Sequence, residues 1–395
     1  MLAFGGIVLT VASVALGLVT AMLTVEILAA RKPTAATPAA ENGERPAATV
    51  LIPAHDEELH LPETLKSIEG QLGPRDQVLV VADNCTDSTA EVGRRSGAAV
   101  IERSDPPRRG KGYALQFGLD HLATAPPDVV VALDADCRVA PGAIERLVRT
   151  AATLGRPVQG VYLIEAAPDA GLGERLSAFA FSIKNQVRPM GLRRLGLPCP
   201  LTGTGMAFPW LVLYEVPLDV GTIVEDMKLG LDLTLAGHPP VLEDRARITS
   251  DFPTSGKAQT SQRRRWEHGH LSTIATVVPH LIKAAAARGR PSLLAVAFEL
   301  MIPPLSLLTI LLLAVFVATV ALGGLGGTKL PLIITAVSIG LAALGLVVSW
   351  REFGHATVSV GELLSIPAYV LRKVPVYVDF IRRRERSWIR TQRGK

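Results

Sequence analysis

The stretch from Val129 to Asp136 limits the possible folds of this chain more than any other. Five apolar residues, Val-Val-Val-Ala-Leu, are followed by Asp134, Ala135 and Asp136, and the apolar run predicts a buried strand. Residues i and i+2 of an extended chain point to one side, so both carboxylates can converge on a divalent cation, which takes oxygen ligands. The alternative is a turn whose aspartate caps a helix opened by Pro141. The tripeptide alone leaves both interpretations open.

Composition indicates a globular domain joined to membrane helices. The chain has 395 residues, 19% of them charged, and a mean hydropathy of +0.32, which is too apolar for an ordinary soluble enzyme. Residues 2–25 carry no charge and match the ~20 apolar residues that a bilayer span needs. A signal peptide would have basic residues before the apolar run, whereas Arg31 and Lys32 follow it. Two further spans are predicted at Pro303–Leu322 and Leu330–Trp350.

The charges beside these spans predict the topology. Positive residues remain in the cytoplasm, so Arg31 and Lys32 place the following domain there, and three spans return the tail to the same side. The tail is basic, with Arg382, Arg383, Arg384, Arg386, Arg390, Arg393 and Lys395. We expect a multi-pass protein of a bacterial inner membrane, with interfacial helices at 271–302 and 362–381. Attraction to anionic lipid explains the net charge of +5, so no nucleic-acid partner is expected.

Between the spans the pattern alternates strand and helix. Strands are predicted at Thr49–Ile52, Gln77–Ala82, Ala98–Ile101 and Val129–Leu133. Helical signals are apolar spacing from Leu61 to Leu72, a capping box of Ser88 and Glu91, and a helix from Pro141 that stops at Gly155. Repeated βα units predict a mainly parallel sheet. Ligands of such sheets bind at the carboxyl ends of the strands.

Acidic side chains gather at these strand ends. They follow the first, second and fourth strands as Glu57 and Glu58, Asp83 and Asp87, and Asp134 and Asp136. Neighbouring carboxylates repel one another, so a bound cation or hydrogen-bond donors from a ligand are expected there. Asp87 and Glu58 have an alternative role as helix caps.

A basic loop, Arg108-Arg109-Gly110-Lys111-Gly112, enters a predicted helix, and helix N-termini bind phosphate. It is not a Walker A loop, because Gly112 stands in place of Ser or Thr and Asp105 in place of the first Gly. The alternative is a solvated basic turn.

Two later motifs carry chemistry. Glu225 and Asp226 are adjacent carboxylates in an apolar context, which suits a general base with a supporting acid. The run from Gln262 to Trp266 contains Arg265; arginine makes bidentate diphosphate contacts and Trp stacks on sugars. That run could equally anchor the chain to a membrane surface.

The cysteines indicate neither a disulfide framework nor a zinc site. They are odd in number and lack C-x-x-C spacing: Cys85, Cys137 and Cys199. We expect three small, semi-buried thiols.

In this order the motifs resemble the membrane-bound family-2 glycosyltransferases, which include cellulose, chitin and hyaluronan synthases. The strings that carry the resemblance are Pro53-Ala54-His55-Asp56-Glu57-Glu58, Ala82-Asp83-Asn84-Cys85-Thr86-Asp87, Arg109-Gly110-Lys111-Gly112-Tyr113-Ala114-Leu115, Asp134-Ala135-Asp136, Gly203-Thr204-Gly205-Met206, Glu225-Asp226 and Gln262-x-x-Arg265-Trp266. They look like the exopolysaccharide branch related to methanolan synthesis. One departure is Val224, where Thr usually precedes Glu-Asp.

The resemblance implies a GT-A fold, a nucleotide-sugar donor, inversion at the anomeric carbon, and Mg²⁺ or Mn²⁺ as cofactor. It implies donor binding by Pro53, Glu57, Asp83, Lys111, Asp134 and Arg265, with Asp83 on the base, Glu57 on the nucleoside and Arg265 on the diphosphate. It implies metal binding by Asp136, with Asp134 on the ribose or in the metal shell. It implies acceptor binding by Gly203, Thr204, Gly205, Gln262 and Trp266, and catalysis by Asp226 with Glu225.

We therefore expect an α/β protein with a GT-A domain, a mainly parallel central sheet, and transmembrane and interfacial helices. The expected segments are a transmembrane helix at 1–30, a linker at 31–48, a cytoplasmic catalytic domain at 49–270, interfacial helices at 271–302, two transmembrane helices at 303–350 and a basic tail at 351–395. The expected reaction moves a sugar, from a UDP-sugar in the first instance, to a lipid-linked or membrane-proximal saccharide in exopolysaccharide assembly. Alternatives are a processive polysaccharide synthase, a sugar-phosphate nucleotidyltransferase and a non-enzymatic membrane scaffold.

Overall fold

The computed structural model describes residues 2–31, 44–216, 218, 225–252 and 256–382, apart from the side chains of 256–265, 291 and 379–382. These residues fall into two compact units, divided after residues 33, 167, 197 and 259. We call the part drawn from 34–167 and 198–259 the sheet unit. The part drawn from residues up to 33, from 168–197 and from 260–385 is the helical unit.

The described residues form eight strands and sixteen α-helices. The strands are β1 (Ala48–Ala54), β2 (Gln77–Asp83), β3 (Ala99–Arg103), β4 (Val129–Ala132), β5 (Arg138–Val139), β6 (Val158–Glu165), β7 (Met206–Pro209) and β8 (Val241–Asp251). The helices are α1 (Leu2–Ala30), α2 (Leu61–Ile68), α3 (Thr89–Arg95), α4 (Lys111–Leu122), α5 (Ala143–Leu154), α6 (Leu172–Ser182), α7 (Arg188–Arg194), α8 (Trp210–Glu215), α9 (Glu225–Ala236), α10 (Gly256–Arg288), α11 (Pro291–Met301), α12 (Leu305–Gly324), α13 (Leu330–Ser349), α14 (Val360–Leu363), α15 (Ile366–Leu371) and α16 (Val374–Arg382). Two π-helical segments, Ile183–Val187 and Trp350–Gly354, join α6 to α7 and extend α13.

All strands belong to one sheet in the order β3-β2-β1-β4-β7-β6-β8-β5. The four strands predicted from the sequence, β1 to β4, are parallel to one another. Strand β7 is antiparallel to β4 and to β6, whereas β6 and β8 are parallel. The prediction of a mainly parallel sheet is therefore confirmed, and the short antiparallel β7 was not predicted.

Burial on both faces explains the apolar strands. Val50 and Ile52 of β1 pack in a core with α2 and α5, while Leu51 packs on the other face in a core with α4. Successive side chains of a strand point to opposite faces, so a strand covered on both faces needs a continuous apolar run. The strand ends are the positions where polar residues are tolerated.

Local signals predicted some helix ends correctly and others wrongly. Gly155 caps α5 in the left-handed conformation, as expected, but α5 begins after Gly142 and not at Pro141. Helix α2 ends at Ile68, before Leu72. The expected capping box of Ser88 is wrong, because its side chain makes no cap hydrogen bond. Instead the Asp87 carboxylate accepts from the amide of Thr89 at 2.9 Å.

Among the described residues of the helical unit, three helices are long and apolar enough to cross a membrane: Leu2–Ala30, Leu305–Gly324 and Leu330–Gly354. They match the three predicted spans. Helices α1 and α13 run in the same direction, because Ser13 bonds Thr335 at 2.8 Å and Arg31, one residue past α1, pairs with Glu352 at 3.5 Å. The ends of the first and third spans therefore lie together. Residues 32–43 of the predicted linker and residues 383–395 of the basic tail lie outside the described residues.

A buried ion triad joins three segments of the helical unit. The guanidinium of Arg188 in α7 donates to Glu26 Oε2 at 2.9 Å and to Glu299 Oε1 at 2.7 Å. The Arg188 and Glu26 side chains are 5% and 0% exposed, and a buried charge is costly unless it is paired. A Cβ at Gly191 would lie 2.0 Å from the Glu26 carbonyl oxygen, so α7 lies directly on the backbone of α1. This packing explains why residues 168–197 belong to the helical unit, although they lie within the predicted catalytic domain.

Gly191→Ala is expected to lower the free energy of unfolding by about 1–3 kcal/mol, the usual cost of overpacking. The matched control is Gly340→Ala in α13, where a Cβ meets nothing within 4 Å. Both substitutions gain similar helix propensity, so the difference isolates the contact with α1. Thermal unfolding in detergent measures it, and equal melting temperatures for the two variants would contradict the contact.

Candidate active site

The carboxylates Asp134 and Asp136 follow β4 at the carboxyl edge of the parallel strands. Their oxygens and the Cys137 sulfur all lie within 4.8 Å of one another, and both carboxylates are half-buried. The backbone amide of Asp134 donates to Thr204 Oγ1 at 3.0 Å, which fixes the strand end. The predicted convergence of the two carboxylates is therefore present.

The chemistry of these groups fits a hard divalent cation. Burial, followed by the charge of Asp136, raises the pKa of the Cys137 thiol well above its ordinary value, and sulfur is a softer ligand than hard divalent cations such as Mg²⁺ and Mn²⁺ prefer. The two carboxylates remain as oxygen donors, which Mg²⁺ and Mn²⁺ prefer.

Lys111, the first residue of α4, lies among carboxylates. Its ammonium bonds the Asp134 carboxylate and donates to the Gly203 carbonyl at 2.6 Å. Burial opposes the charged form, but the charges of Asp134, Glu225 and Asp226 outweigh burial and raise the pKa of Lys111 above its ordinary value. Lys111 is therefore cationic, and the alternative of a solvated turn does not describe it.

Glu225 and Asp226 occupy the first turn of α9. A Cβ at Gly203 would lie 3.2 Å from Asp226 Oδ2 and 3.5 Å from Lys111 Nζ, so these groups meet around that glycine. Gly203 has φ +91, a conformation that favours glycine. Burial, followed by the neighbouring Asp226, raises the pKa of Glu225 to about 7. The pair and Lys111 thus form one electrostatic cluster with Asp134.

Asp83, at the end of β2, has a partner on β3 that was not predicted from the sequence. Asp83 is buried and accepts hydrogen bonds from Arg103 at 2.6 Å and from Asn84 at 2.9 Å. Asp83 and Arg103 are register partners at the ends of neighbouring parallel strands, which is the signal that could have identified the pair. Arg103 therefore fixes the carboxylate that the resemblance assigns to the donor base.

The end of β1 lies beside Asp83. The imidazole of His55 donates from Nδ1 to the Asp83 carbonyl at 2.7 Å. Glu57 contacts His60 Nδ1 at 3.0 Å, and Pro53 lies opposite Val81 of β2. The three predicted donor residues of β1 and β2, Pro53, Glu57 and Asp83, therefore lie at one edge of the sheet.

Glu58 and Asp87 have a structural role, but neither is the N-cap residue of the helix that follows it, which is His60 for α2 and Ser88 for α3. The amide of Glu58 donates to Asp87 Oδ2 at 3.1 Å, and the amide of Ser88 donates to Glu58 Oε2 at 2.9 Å. These two carboxylates join the loops after β1 and β2.

A second group of metal-binding residue types, His55, Asp56 and Cys85, also lies within 4.8 Å. Burial raises the pKa of the Cys85 thiol to about 11, so it is not a thiolate near neutral pH. The Asp56 carboxylate already accepts from the Thr86 amide at 2.6 Å. This group supports the loop structure.

The loop Gly203-Thr204-Gly205 lies beneath the end of β4. Thr204 is fully buried, and its hydroxyl bonds Asp134 and the Cys137 sulfur. Thr204 thus orients Asp134 and presents no surface to an acceptor, contrary to the expectation for its side chain. The glycines on either side have φ +91 and +64, which the tight loop requires.

The remaining predicted residues lie on α10. The side chains of Gln262 and Arg265 are outside the described part of the structure. Trp266 is half-buried in the helical unit, with its ring 5.7 Å from that of Phe181. Its predicted acceptor contact remains a proposal.

Comparisons with known proteins bear on the sheet unit most directly. The family model described as "Glycosyltransferase like family 2" matches residues 46–269. A 4,4'-diaponeurosporenoate glycosyltransferase of Staphylococcus haemolyticus is 35% identical over 92 residues, 22% of this chain and 24% of that protein. An uncharacterized glycosyltransferase of Mycobacterium tuberculosis is 38% identical over 102 residues, 26% of this chain and 42% of that protein. The chain thus spans less than half the length of these curated relatives.

One solved structure is similar over nearly the whole chain. It is a mannosyltransferase from Pyrobaculum calidifontis in complex with GDP-Man and Mn²⁺, with 19% identity and a TM-score of 0.57 over 98% of this chain and 100% of that one. At this identity the similarity concerns the fold.

Glu225→Gln is expected to remove a pH dependence of stability. The carboxyl group has a pKa of about 7 in the folded protein, against an ordinary value of about 4.5, so the folded state binds the additional proton between these values. Its contribution to stability is present below about 4.5 and falls as the pH rises to about 7. Between pH 5 and pH 8 the wild-type melting temperature should fall relative to that of Glu225→Gln, measured in EDTA. Parallel profiles for the two proteins would contradict the raised pKa.

Proposed function

Because the chain belongs to glycosyltransferase family 2 and has the GT-A fold, we propose that it transfers a sugar from a nucleoside-diphosphate sugar to an acceptor at a membrane. The observation that carries the proposal is the cluster at the carboxyl edge of the sheet. There Asp134, Glu225 and Asp226 lie around Lys111, and Asp136 lies beside Asp134. A cation site beside a carboxylate base is the arrangement that this transfer requires.

On the donor side, Asp136 and Asp134 hold Mg²⁺ or Mn²⁺. When bound, the divalent ion neutralises charge on the leaving diphosphate. Arg265 contacts the same diphosphate, as arginine does in bidentate pairs. Asp83, Glu57 and Pro53 bind the nucleoside, and the ion pair of Asp83 with Arg103 at 2.6 Å orients that carboxylate.

On the acceptor side, Asp226 is the base. The acceptor hydroxyl oxygen attacks the anomeric carbon, the bond from that carbon to the diphosphate oxygen breaks, and Asp226 takes the hydroxyl proton. The product is inverted at the anomeric carbon, and the nucleoside diphosphate leaves. Glu225, whose pKa is about 7, is partly protonated at neutral pH and therefore suits the supporting role.

The acceptor is a lipid-linked or membrane-proximal saccharide in exopolysaccharide assembly. Support comes from the three apolar helices within the described residues, which are long enough to cross a membrane but are few for a polymer channel in one chain. A processive synthase is the second candidate.

The sheet edge has Pro53 and Glu57 where a nucleotidyltransferase carries a glycine-rich loop, and a scaffold has no need of the paired carboxylates.

The site faces the cytoplasm of a bacterial inner membrane. Arg31 and the last residues of the third span lie together, through the Arg31–Glu352 pair. Basic residues are retained on the cytoplasmic side, and the tail that follows the third span carries many of them.

The direct test incubates the purified full chain, in detergent with bacterial lipid extract, with radiolabelled nucleotide sugars. UDP-sugars come first and GDP-mannose serves as the comparison donor, each with Mn²⁺ and with EDTA. Sugar incorporation into lipid or polymer that needs the metal supports the proposal, and chain length separates single addition from processive synthesis. Unimpaired transfer in EDTA would contradict the metal role.

Asp226→Asn is expected to lower the transfer rate by roughly 10² or more, because the amide keeps the shape but not the basicity. Nucleotide affinity should change little. Asp232→Asn is the matched control, since Asp232 lies on the same helix and pairs with Lys228 at 2.6 Å. Near-normal turnover of Asp226→Asn would transfer the role to Glu225.

Topology is tested by cysteine labelling of intact cells with an impermeant reagent. A cysteine at Thr37, in the predicted linker, should be protected, because that segment is expected to face the cytoplasm. A cysteine at Lys329, an exposed residue between α12 and α13, should react. The opposite pattern would reverse the orientation.

A further inference from the structure

Lys111 is bonded to Asp134, one of the two carboxylates that are expected to hold the divalent cation. Its ammonium bonds the Asp134 carboxylate and is also held by the Gly203 carbonyl at 2.6 Å. The charges of Glu225 and Asp226 act on the same ammonium. One ammonium therefore lies among three acidic side chains that come from two separate parts of the chain.

A divalent cation at the same place would also neutralise the charge of these carboxylates. Carboxylates brought together without a cation repel one another, so the metal-free site needs Lys111. An ammonium bonded to Asp134 and a metal ion coordinated by Asp134 repel each other at close range. Full coordination of the metal by Asp134 therefore requires the ammonium to move away from that carboxylate.

The structure offers a short path for this move. A Cβ at Gly203 would lie within 3.5 Å of both Lys111 Nζ and Asp226 Oδ2, so both atoms lie near the same small space. The backbone of Lys111 is fixed as the first residue of α4, after Gly110 with φ +127, so the side chain alone needs to rotate.

We propose that Lys111 is a positioning residue that exchanges places with the divalent cation. Without metal, the Lys111 ammonium is bonded to the Asp134 carboxylate. When the metal binds, the ammonium shifts to the Glu225–Asp226 pair and holds Asp226 in place as a carboxylate. Metal binding thereby assembles the base. This inference rests on the proposed function, since it assigns a further role within the same site.

The test measures Mn²⁺ binding without nucleotide, by the loss of the free-Mn²⁺ electron paramagnetic resonance signal and by thermal unfolding. The variants are Lys111→Met and Lys111→Gln, which remove the charge, and Lys111→Arg, which keeps it. In EDTA both neutral variants should melt below wild type. Their Mn²⁺ affinity should be about tenfold higher than that of wild type, because no ammonium competes for Asp134, while Lys111→Arg should stay near wild type.

Controls separate this role from simpler ones. Lys228→Met removes an ammonium paired with Asp232 on the surface of α9 and should leave Mn²⁺ affinity unchanged, whereas Asp136→Asn should abolish Mn²⁺ binding. Unchanged or weaker Mn²⁺ binding by the neutral variants would overturn the exchange. Weaker nucleotide binding with unchanged Mn²⁺ affinity would make Lys111 a phosphate contact only.

The outcome is independent of sugar transfer. Tighter Mn²⁺ binding in a protein that transfers no sugar would support the exchange and refute the proposed function. Metal-dependent transfer with unaltered Mn²⁺ affinity in the neutral variants would refute the exchange and support the proposed function. If Lys111→Met fails to fold, as circular dichroism would show, Lys111→Gln decides.

Discussion

Burial of the central strands on both faces is the constraint on which the site depends. Val50 and Ile52 pack against one helical layer, and Leu51 packs against the other, so β1 has no solvated face on which polar residues can stand. The same holds for β4, whose four residues are all buried. Polar groups can emerge only at the strand ends, and in parallel strands those ends share one edge. The crowding of carboxylates there follows from the core.

Cationic side chains that the fold holds in place pair with these crowded carboxylates. Arg103 pairs with Asp83 at the end of β2, and Lys111 pairs with Asp134 at the end of β4. Both cationic side chains come from elements next to the strand end whose carboxylate they contact. The charge of each of these two carboxylates is therefore neutralised before any ligand binds. Arg103 also pairs with Asp105 of its own loop at 3.1 Å, whereas Lys111 is influenced by Glu225 and Asp226 from a distant part of the sequence.

Local patterns predicted the elements better than the contacts between them. The strands β1 to β4 and the three spans were predicted because a buried strand or a membrane helix needs a continuous apolar run. The fixing of Asp134 by Thr204 depends on a loop 70 residues away, and no local pattern carries that information. The capping box of Ser88 failed because Asp87 competes for the same helix end. The pairing of Asp83 with Arg103 depended on strand register, which periodicity does not give.

The ion triad of Arg188 has a consequence for inheritance. The chain leaves the sheet after β6, contributes α6 and α7 to the helical unit, and returns to form β7. The arginine on that excursion pairs with Glu26 of α1 and Glu299 of α11. A shortened protein without these helices would bury or expose an unpaired guanidinium. Substitutions at Glu26, Arg188 and Glu299 are therefore expected to be inherited together, because the loss of one partner leaves a buried charge without its pair.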